Sequence, residues 1–202
     1  MNDLVALVAL SQVPGLGGSR LRRLLEHFGD LGAILAAPED ALRAVSGIGP
    51  YIAAAIQAAD VDQARRDVAF WQGEDINVLD WGHLAYPARL RALPDGPPVL
   101  FCRGDLACIM AADARTVGIV GSRGAAYDSL QLARQMGYEL AQRGWTVVSG
   151  LAWGIDFAAH NGAAQAGPTV AVLGSGLLTP LPTRKATLAE QIVTSGALLS
   201  EV

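Results

Sequence analysis

Apolar residues divide the chain into two regions with different periodicities. Up to about residue 75 they recur at helical spacing. Asp30 and Ser46 are predicted caps, and Pro38 and Pro50 mark helix starts. The predicted helices cover residues 3–12, 18–29, 38–46 and 50–70.

From residue 76 the pattern changes to short apolar runs. INVLD (76–80) and VLFCRGD (99–105) are predicted strands in a segment interrupted by prolines. Beyond Thr116, strands and helices alternate. The predicted strands are 116–121, 146–150, 169–174 and 197–200, and the helices between them cover 126–143, 155–166 and about 186–195.

Continuous Val, Ile and Leu strands separated by helices predict an α/β fold with a Rossmann-like parallel sheet covered on both faces. A small all-helical domain precedes it, so we expect domains at 1–75 and 76–202. An exposed final strand, ALLS, would promote aggregation.

Composition narrows the function classes. With 51% hydrophobic and 17% charged residues, the chain can bury a core. No apolar run approaches the ~18–20 residues of a membrane span, and Asp3 with no basic residue before it argues against a signal peptide. Cys102 and Cys108 match no zinc or redox spacing and are expected to be buried thiols in a reducing cytoplasm. The net charge of -4 counts mildly against a nucleic-acid binder without excluding one.

Two segments of the helical region resemble each other: VPGLGGSRLRRLLEHFG (13–29) and VSGIGPYIAAAIQAA (45–59). Each has a Gly-x-Gly turn before an amphipathic helix, as in helix-hairpin-helix and SAM-like domains. Such turns can hold a phosphate at a helix N-terminus, and they are also what a tight helix connection requires. If the turns hold phosphates, the basic residues beside the first turn would contact the backbone of duplex DNA. These residues are Arg20, Arg22 and Arg23.

Three predicted strands end in glycine, which places three loops along the carboxyl edge of the sheet, where ligands of open α/β sheets bind. The first loop joins Gly121 to Ser122, a hydroxyl donor, and Arg123, a bidentate cation. The second runs over 149–156, and the third begins at 174 and leads to two adjacent cations, Arg184 and Lys185. A groove for a polyanion or a mononucleotide pocket fits this arrangement.

Asp156 and His160 lie one turn apart and are predicted to support the second loop, with Asp156 capping the helix and bonding to His160. A catalytic triad with Ser149 or Ser122 is the alternative. No dinucleotide or ATP fingerprint is present, and no cofactor or metal is expected.

The ordered series GIVGSR (118–123), VVSGLAWGIDFAAHNGA (147–163), TVAVLGSGL (169–177) and LLSE (198–201) resembles the DNA-processing protein A family, also called DprA or Smf. The segment AYPARLRALPDGPPVLFCRGD (85–105) also resembles this family. The resemblance implies a cytoplasmic, non-catalytic bacterial protein that binds single-stranded DNA, protects it and helps to load the RecA recombinase in natural transformation. It also implies a homodimer formed through the Rossmann-like domain.

The loops and the resemblance together give the expected DNA contacts. These are Gly121, Ser122, Arg123, Ser149, Gly150, Trp153, Gly154, Gly174, Gly176, Arg184 and Lys185.

The chain departs from the family pattern in three places. Trp153 stands where a basic residue is usual, so that a phosphate contact is replaced by a ring able to stack on a base. Lys185 stands at a position usually held by asparagine. The sequence ends at Val202, within the Rossmann-like region of longer family members. The alternative function is a nucleotide enzyme similar to the lysine-decarboxylase-like phosphoribohydrolases, whose Pro-Gly-Gly-x-Gly-Thr loop is absent from the sequence.

Overall fold

The structure, a computed structural model, describes residues 3–111 and 115–202. The chain forms two compact units. The first comprises Met1–Gly82 with Arg89–Val99, and the second comprises His83–Ala88 with Leu100–Val202.

Helices account for most of the chain up to residue 91. They are α1 (Asp3–Ser11), α2 (Gly18–Phe28), α3 (Leu31–Ala36), α4 (Glu39–Arg43), α5 (Pro50–Gln57), α6 (Val61–Gly73) and α7 (Ala88–Arg91), with strand β1 (Asn77–Asp80) between α6 and α7. Helix α1 is buried over all its residues from Val5 to Leu10, as expected for the central helix of a small bundle.

Two capping predictions have different outcomes. Asp30 caps α3 by accepting a hydrogen bond from the Ala33 amide at 2.8 Å. Ser46 caps no helix, because α4 has already ended at Arg43. The helix predicted over 50–70 is two helices, since Asp60 begins α6 by accepting a bond from the Gln63 amide at 2.8 Å.

The two Gly-x-Gly turns have nearly the same backbone conformation. Gly15 and Gly47 have φ of 81° and 88°, a region that glycine adopts without steric penalty. Gly17 and Gly49 then begin α2 and α5 with φ, ψ of −79°, 174° and −84°, 172°. The sequence repeat is therefore also a structural repeat.

The second unit contains a mixed sheet and its connecting helices. The elements are β2 (Val99–Gly104), α8 (Leu106–Ala111), β3 (Thr116–Gly118), α9 (Tyr127–Gln142), β4 (Thr146–Ser149), α10 (Ile155–Ala163), β5 (Thr169–Leu173), α11 (Thr183–Val193) and β6 (Ala197–Ser200).

Four of its strands form the predicted parallel sheet. Strands β3, β4, β5 and β6 are neighbours in that order and all run parallel. Strand β2 adds to β6 in antiparallel orientation, with Phe101 opposite Ser200 and Gly104 opposite Ala197. The expectation that ALLS is an exposed edge is therefore wrong, because β6 lies between β5 and β2 and is buried along its whole length.

The described helices α9, α10 and α11 pack on one face of the parallel strands, against Val147, Ala171 and Leu198. Residues that alternate with these point to the other face, where Val172 is 44% exposed. The three connecting helices thus lie on one face, and Val170, Ala197 and Leu199 are also buried on the other.

Helices α9 and α10 touch at their backbones, which fixes the position of α10. A Cβ at Gly137 would lie 2.2 Å from the Ala159 carbonyl oxygen, and one at Gly162 would lie 1.9 Å from that of Arg134. Only glycine permits so close an approach at these two positions. The loop that leads into α10 is thereby held against the sheet edge.

Both cysteines are buried, as predicted. Burial raises the pKa of the Cys102 thiol to about 12 and that of the Cys108 thiol to about 11. Both thiols are therefore protonated near neutral pH and are poor nucleophiles. No helix among the described residues is long and apolar enough to span a membrane.

Candidate functional site

A pocket of about 280 Å³ opens at the carboxyl ends of the central parallel strands. The predicted loops reach it, because β3, β4 and β5 are adjacent and parallel. Its lining consists of Arg123, Gly150, Leu151, Ala152, Trp153, Leu173, Gly174, Ser175, Leu181 and Lys185. Five of the predicted contact residues therefore meet in one place.

Asp156 ties two of these loops together. One carboxylate oxygen accepts a hydrogen bond from the Gly121 amide at 3.3 Å, and the other accepts one from the Gly150 amide at 3.1 Å. The side chain is buried at 6% exposure. The prediction that Asp156 caps α10 is wrong, because Gly154 is the N-cap residue of that helix and no side chain forms a cap bond. The carboxylate instead fixes the spacing of the first two loops.

The second loop has an unusual backbone. Leu151 has a φ of 52° and Gly154 a φ of 91°. The amides of Leu151, Ala152 and Trp153 have no acceptor among the described residues. Leu151, Ala152 and Trp153 line the pocket, and α10 begins directly after this loop.

Cations and a ring occupy the rim of the pocket. Arg123 is exposed at the end of the first loop, and Lys185 reaches the pocket from the first turn of α11. The Lys185 ammonium lies 5.3 Å from the centroid of the Trp153 ring. Arg184 is exposed on the same turn but does not line the pocket.

The remaining predicted contacts lie behind or beside the pocket. The Ser149 hydroxyl is buried and donates to the Ile119 carbonyl at 2.6 Å, so it is not available to a ligand. The Ser122 hydroxyl accepts a bond from the Gly124 amide at 3.2 Å. Gly121 faces Ile155, and Gly176 lies beside the Val202 carbonyl.

His160 contacts a residue of the sheet, Thr169 of β5, and forms no hydrogen bond with Asp156 among the described residues. The Thr169 hydroxyl donates to the Val147 carbonyl at 2.7 Å and is 2.8 Å from His160 Nδ1. Because that hydroxyl has used its proton, Nδ1 carries the hydrogen of the neutral ring. The predicted hydrogen bond between Asp156 and His160 is therefore wrong. Asp156 binds the amides of the two loops, and His160 binds Thr169. Burial lowers the pKa of His160 to about 4, although the Ser149 backbone and the Asp156 charge act in the opposite direction.

This buried ring makes stability pH-dependent. Unfolded His160 has an ordinary pKa near 6.5, so between about pH 6.5 and pH 4 the unfolded chain binds more protons and the folded state loses stability as the pH falls. We expect a loss of roughly 2 kcal/mol between pH 7 and pH 5 from this group. Urea unfolding at both pH values measures it, with His160→Gln as the control that lacks the group. Equal pH dependence in both proteins would contradict the assignment.

The arginines beside the first Gly-x-Gly turn are engaged within the first unit. Arg20 donates to the carbonyls of Gly15 at 2.8 Å and Gly47 at 3.0 Å, and Arg23 donates to that of Ser46 at 3.3 Å. The Arg22 guanidinium lies 4.0 Å from the centroid of the Trp81 ring. A second pocket of about 350 Å³ is lined by residues 17–20 with Arg23, Gly47 and Asp95.

Sequence reasoning missed the apolar wall of the first pocket, which Leu151, Leu173 and Leu181 provide. It also missed Phe157, whose ring centroid lies 5.1 Å from that of Trp153. The spacing of four residues between these two aromatics was a usable signal. The contact of His160 with Thr169 had none, because it depends on how α10 packs on β5.

The chain resembles known proteins over most of its length. The family model for DNA recombination-mediator protein A matches residues 77–202, and that for the SAM-like helix-hairpin-helix tandem matches residues 7–60. Protein Smf of Synechocystis sp. is 35% identical over 96% of this chain and 50% of its own length. The chain spans about half or less of the curated relatives that it matches.

Two solved structures are similar. The X-ray structure of DNA processing protein A from Streptococcus pneumoniae aligns with a TM-score of 0.76 at 23% identity, over 100% of this chain and 68% of that one, and it shows a common fold. DNA processing protein A from Helicobacter pylori, described for its single-stranded DNA binding mode, aligns with a TM-score of 0.54 at 29% identity, over 63% of this chain and 55% of that one. With a family model that covers more than half of its residues, the chain belongs to the DNA recombination-mediator protein A family.

Proposed function

We propose that this protein binds single-stranded DNA at the strand-end loops of its second unit and acts as a recombination mediator. The observation that carries the proposal is the pocket in which Arg123, Trp153 and Lys185 meet the unpaired amides of the second loop. Grooves for single-stranded nucleic acids combine cations with stacking rings in this way. The single-stranded DNA binding of the Helicobacter pylori relative supports the same ligand.

The charges of α11 favour an anionic ligand. Arg184 and Lys185 lie in its first turn, where the helix dipole disfavours cations. Neither forms an ion pair within the described ranges 3–111 and 115–202. These charges do not stabilise the helix, and a bound phosphate would compensate them.

The proposal includes a role without catalysis. A serine nucleophile would need a free hydroxyl beside a basic histidine. Here the Ser149 hydroxyl is bonded to a carbonyl, and His160 is fully buried against Thr169. This arrangement argues against a hydrolase that uses a serine nucleophile.

The finer parts of the proposal rest on family membership. They are the protection of incoming DNA, the loading of RecA during natural transformation, homodimerisation through the Rossmann-like domain and a cytoplasmic location. A second candidate, binding of duplex DNA by the first unit, is favoured by its match to the helix-hairpin-helix tandem. The internal bonds of Arg20 and Arg23 count against it.

Fluorescence anisotropy of a labelled oligo-dT strand tests the main proposal. We expect salt-sensitive binding that a duplex competes for poorly, and a loss of about tenfold for Arg123→Ala, because a charge-assisted contact to phosphate is removed. The slope of log affinity against log salt should fall by about 0.7 for that variant.

Arg143→Ala is the matched control, since that exposed arginine lies in the same unit, pairs with Glu139 and does not line the pocket. Binding only to duplex DNA would move the site to the first unit. Saturable binding of free nucleotide, with no binding of the strand, would favour an enzyme.

A further inference from the structure

Trp153 presents an aromatic surface at the mouth of the strand-end pocket. Its side chain is 41% exposed although it lines the pocket. The ring of Phe157, one helical turn further on, lies 5.1 Å away with an interplanar angle of 40°. Phe157 is itself half-buried against the core formed by α11 and the sheet. The indole is therefore held by a fixed ring, which limits the freedom it would lose on binding.

The pocket walls have two kinds of chemistry. Leu151, Leu173 and Leu181 supply apolar surface to the lining, while Arg123 and Lys185 supply positive charge. A site that binds only phosphates requires hydrogen-bond donors and cations but no apolar surface. A nucleotide unit, with its flat apolar base and its phosphate, matches both parts.

The contact between Lys185 and Trp153 is weak enough to be replaced. The ammonium lies 5.3 Å from the ring centroid, near the outer limit of about 6 Å for a cation–π contact. Stacking of a base on an exposed aromatic ring is the stronger interaction. An ammonium displaced from the ring by a base remains beside the phosphate that the same nucleotide carries.

From these features we infer that Trp153 is a base-stacking residue, so that the pocket binds one nucleobase on the indole and the neighbouring phosphate on Lys185. The inference rests on the proposed function and specifies its ligand. It predicts that affinity at this site depends on the presence of a base and not only on backbone charge.

The test uses the full chain and two labelled strands of equal length, an oligo-dT and the same strand with abasic sites. We expect Trp153→Ala to lose affinity for oligo-dT on the order of tenfold, without a change in salt slope, because no charge is removed. The loss should disappear on the abasic strand, and Trp153→Phe should keep most of the wild-type affinity. Lys185→Gln should lower the salt slope by about 0.7 on both strands.

Tyr127→Ala is the matched control, since this aromatic residue of the same unit is 73% exposed and lies outside the pocket. Circular dichroism of each variant checks that it is folded. The chain has four tryptophans, so quenching by DNA in the wild type that is absent in Trp153→Phe reports stacking directly.

The outcomes separate the two proposals. Binding of oligo-dT by the wild type, with no loss or an equal loss on both strands for Trp153→Ala, overturns the stacking role and leaves the proposed function standing. Absence of oligo-dT binding by the folded wild type overturns both.

Discussion

Replacing Gly154 by alanine is expected to abolish DNA binding and to destabilise the second unit by more than about 3 kcal/mol. Gly154 has φ, ψ of 91° and −130°, a conformation that side chains strongly disfavour. A Cβ there would lie 2.1 Å from the Ser122 carbonyl oxygen, which also accepts a bond from the Ile155 amide at 3.2 Å. The substitution therefore forces the first two loops apart. Urea unfolding and oligo-dT anisotropy measure the two effects.

Gly124→Ala provides the control. Gly124 lies in the first loop, has no positive φ, and a Cβ added there would meet nothing within 4 Å. We expect a change in stability below about 0.5 kcal/mol for this variant. Wild-type stability in Gly154→Ala, or equal losses in the two variants, would show that the close approach of the loops does not matter.

Replacement of Asp156 by alanine is expected to lower the free energy of unfolding by about 3 kcal/mol, and DNA affinity with it. The buried carboxylate is the acceptor for the Gly121 and Gly150 amides. Its removal leaves two donors unpaired and releases the loops that present Arg123 and Trp153. Asp156→Asn should fall between wild type and alanine, because an amide oxygen can accept one of the two bonds while its NH₂ group faces the other donor.

Asp128→Ala is a control matched for position. Asp128 is the second residue of α9, as Asp156 is of α10, so both carboxylates have the same favourable relation to a helix dipole. Asp128 is exposed, and we expect its loss to change stability by less than about 1 kcal/mol. Similar losses for both residues would assign the effect of Asp156 to the dipole rather than to the two amides.

Much of the second unit could be predicted from the sequence because its strands are continuous apolar runs. Val-rich segments before Gly121, Gly150 and Gly174 identified three strands and the edge at which their loops meet. Helical periodicity also placed α9 and α10 to within a few residues. Local patterns of this kind report that a face is buried.

The same patterns do not report which element buries a face. They could not show that α9, α10 and α11 pack on one side, or that β2 pairs with β6, because both depend on contacts distant in sequence. Ser149 is the clearest case within the site. Glycine loops made it a predicted contact, but it shares the inward face of β4 with Val147, and its hydroxyl is therefore used inside the protein.

One error was avoidable from local chemistry. The helix predicted over 50–70 ran through Asp60, although aspartate followed three residues later by Gln63 is a helix-start signal. Apolar periodicity alone does not mark this boundary, because apolar residues recur at helical spacing on both sides of it.

The repeat in the first unit has the geometry of a two-fold dimer folded into one chain. Arg20 and Ile52 occupy equivalent places, and each reaches across to the first glycine of the other turn, Arg20 to Gly47 and Ile52 to Gly15. In an isologous dimer a substitution is imposed on both halves at once. Here the two halves differ in sequence, and one crossing contact is polar while its twin is apolar.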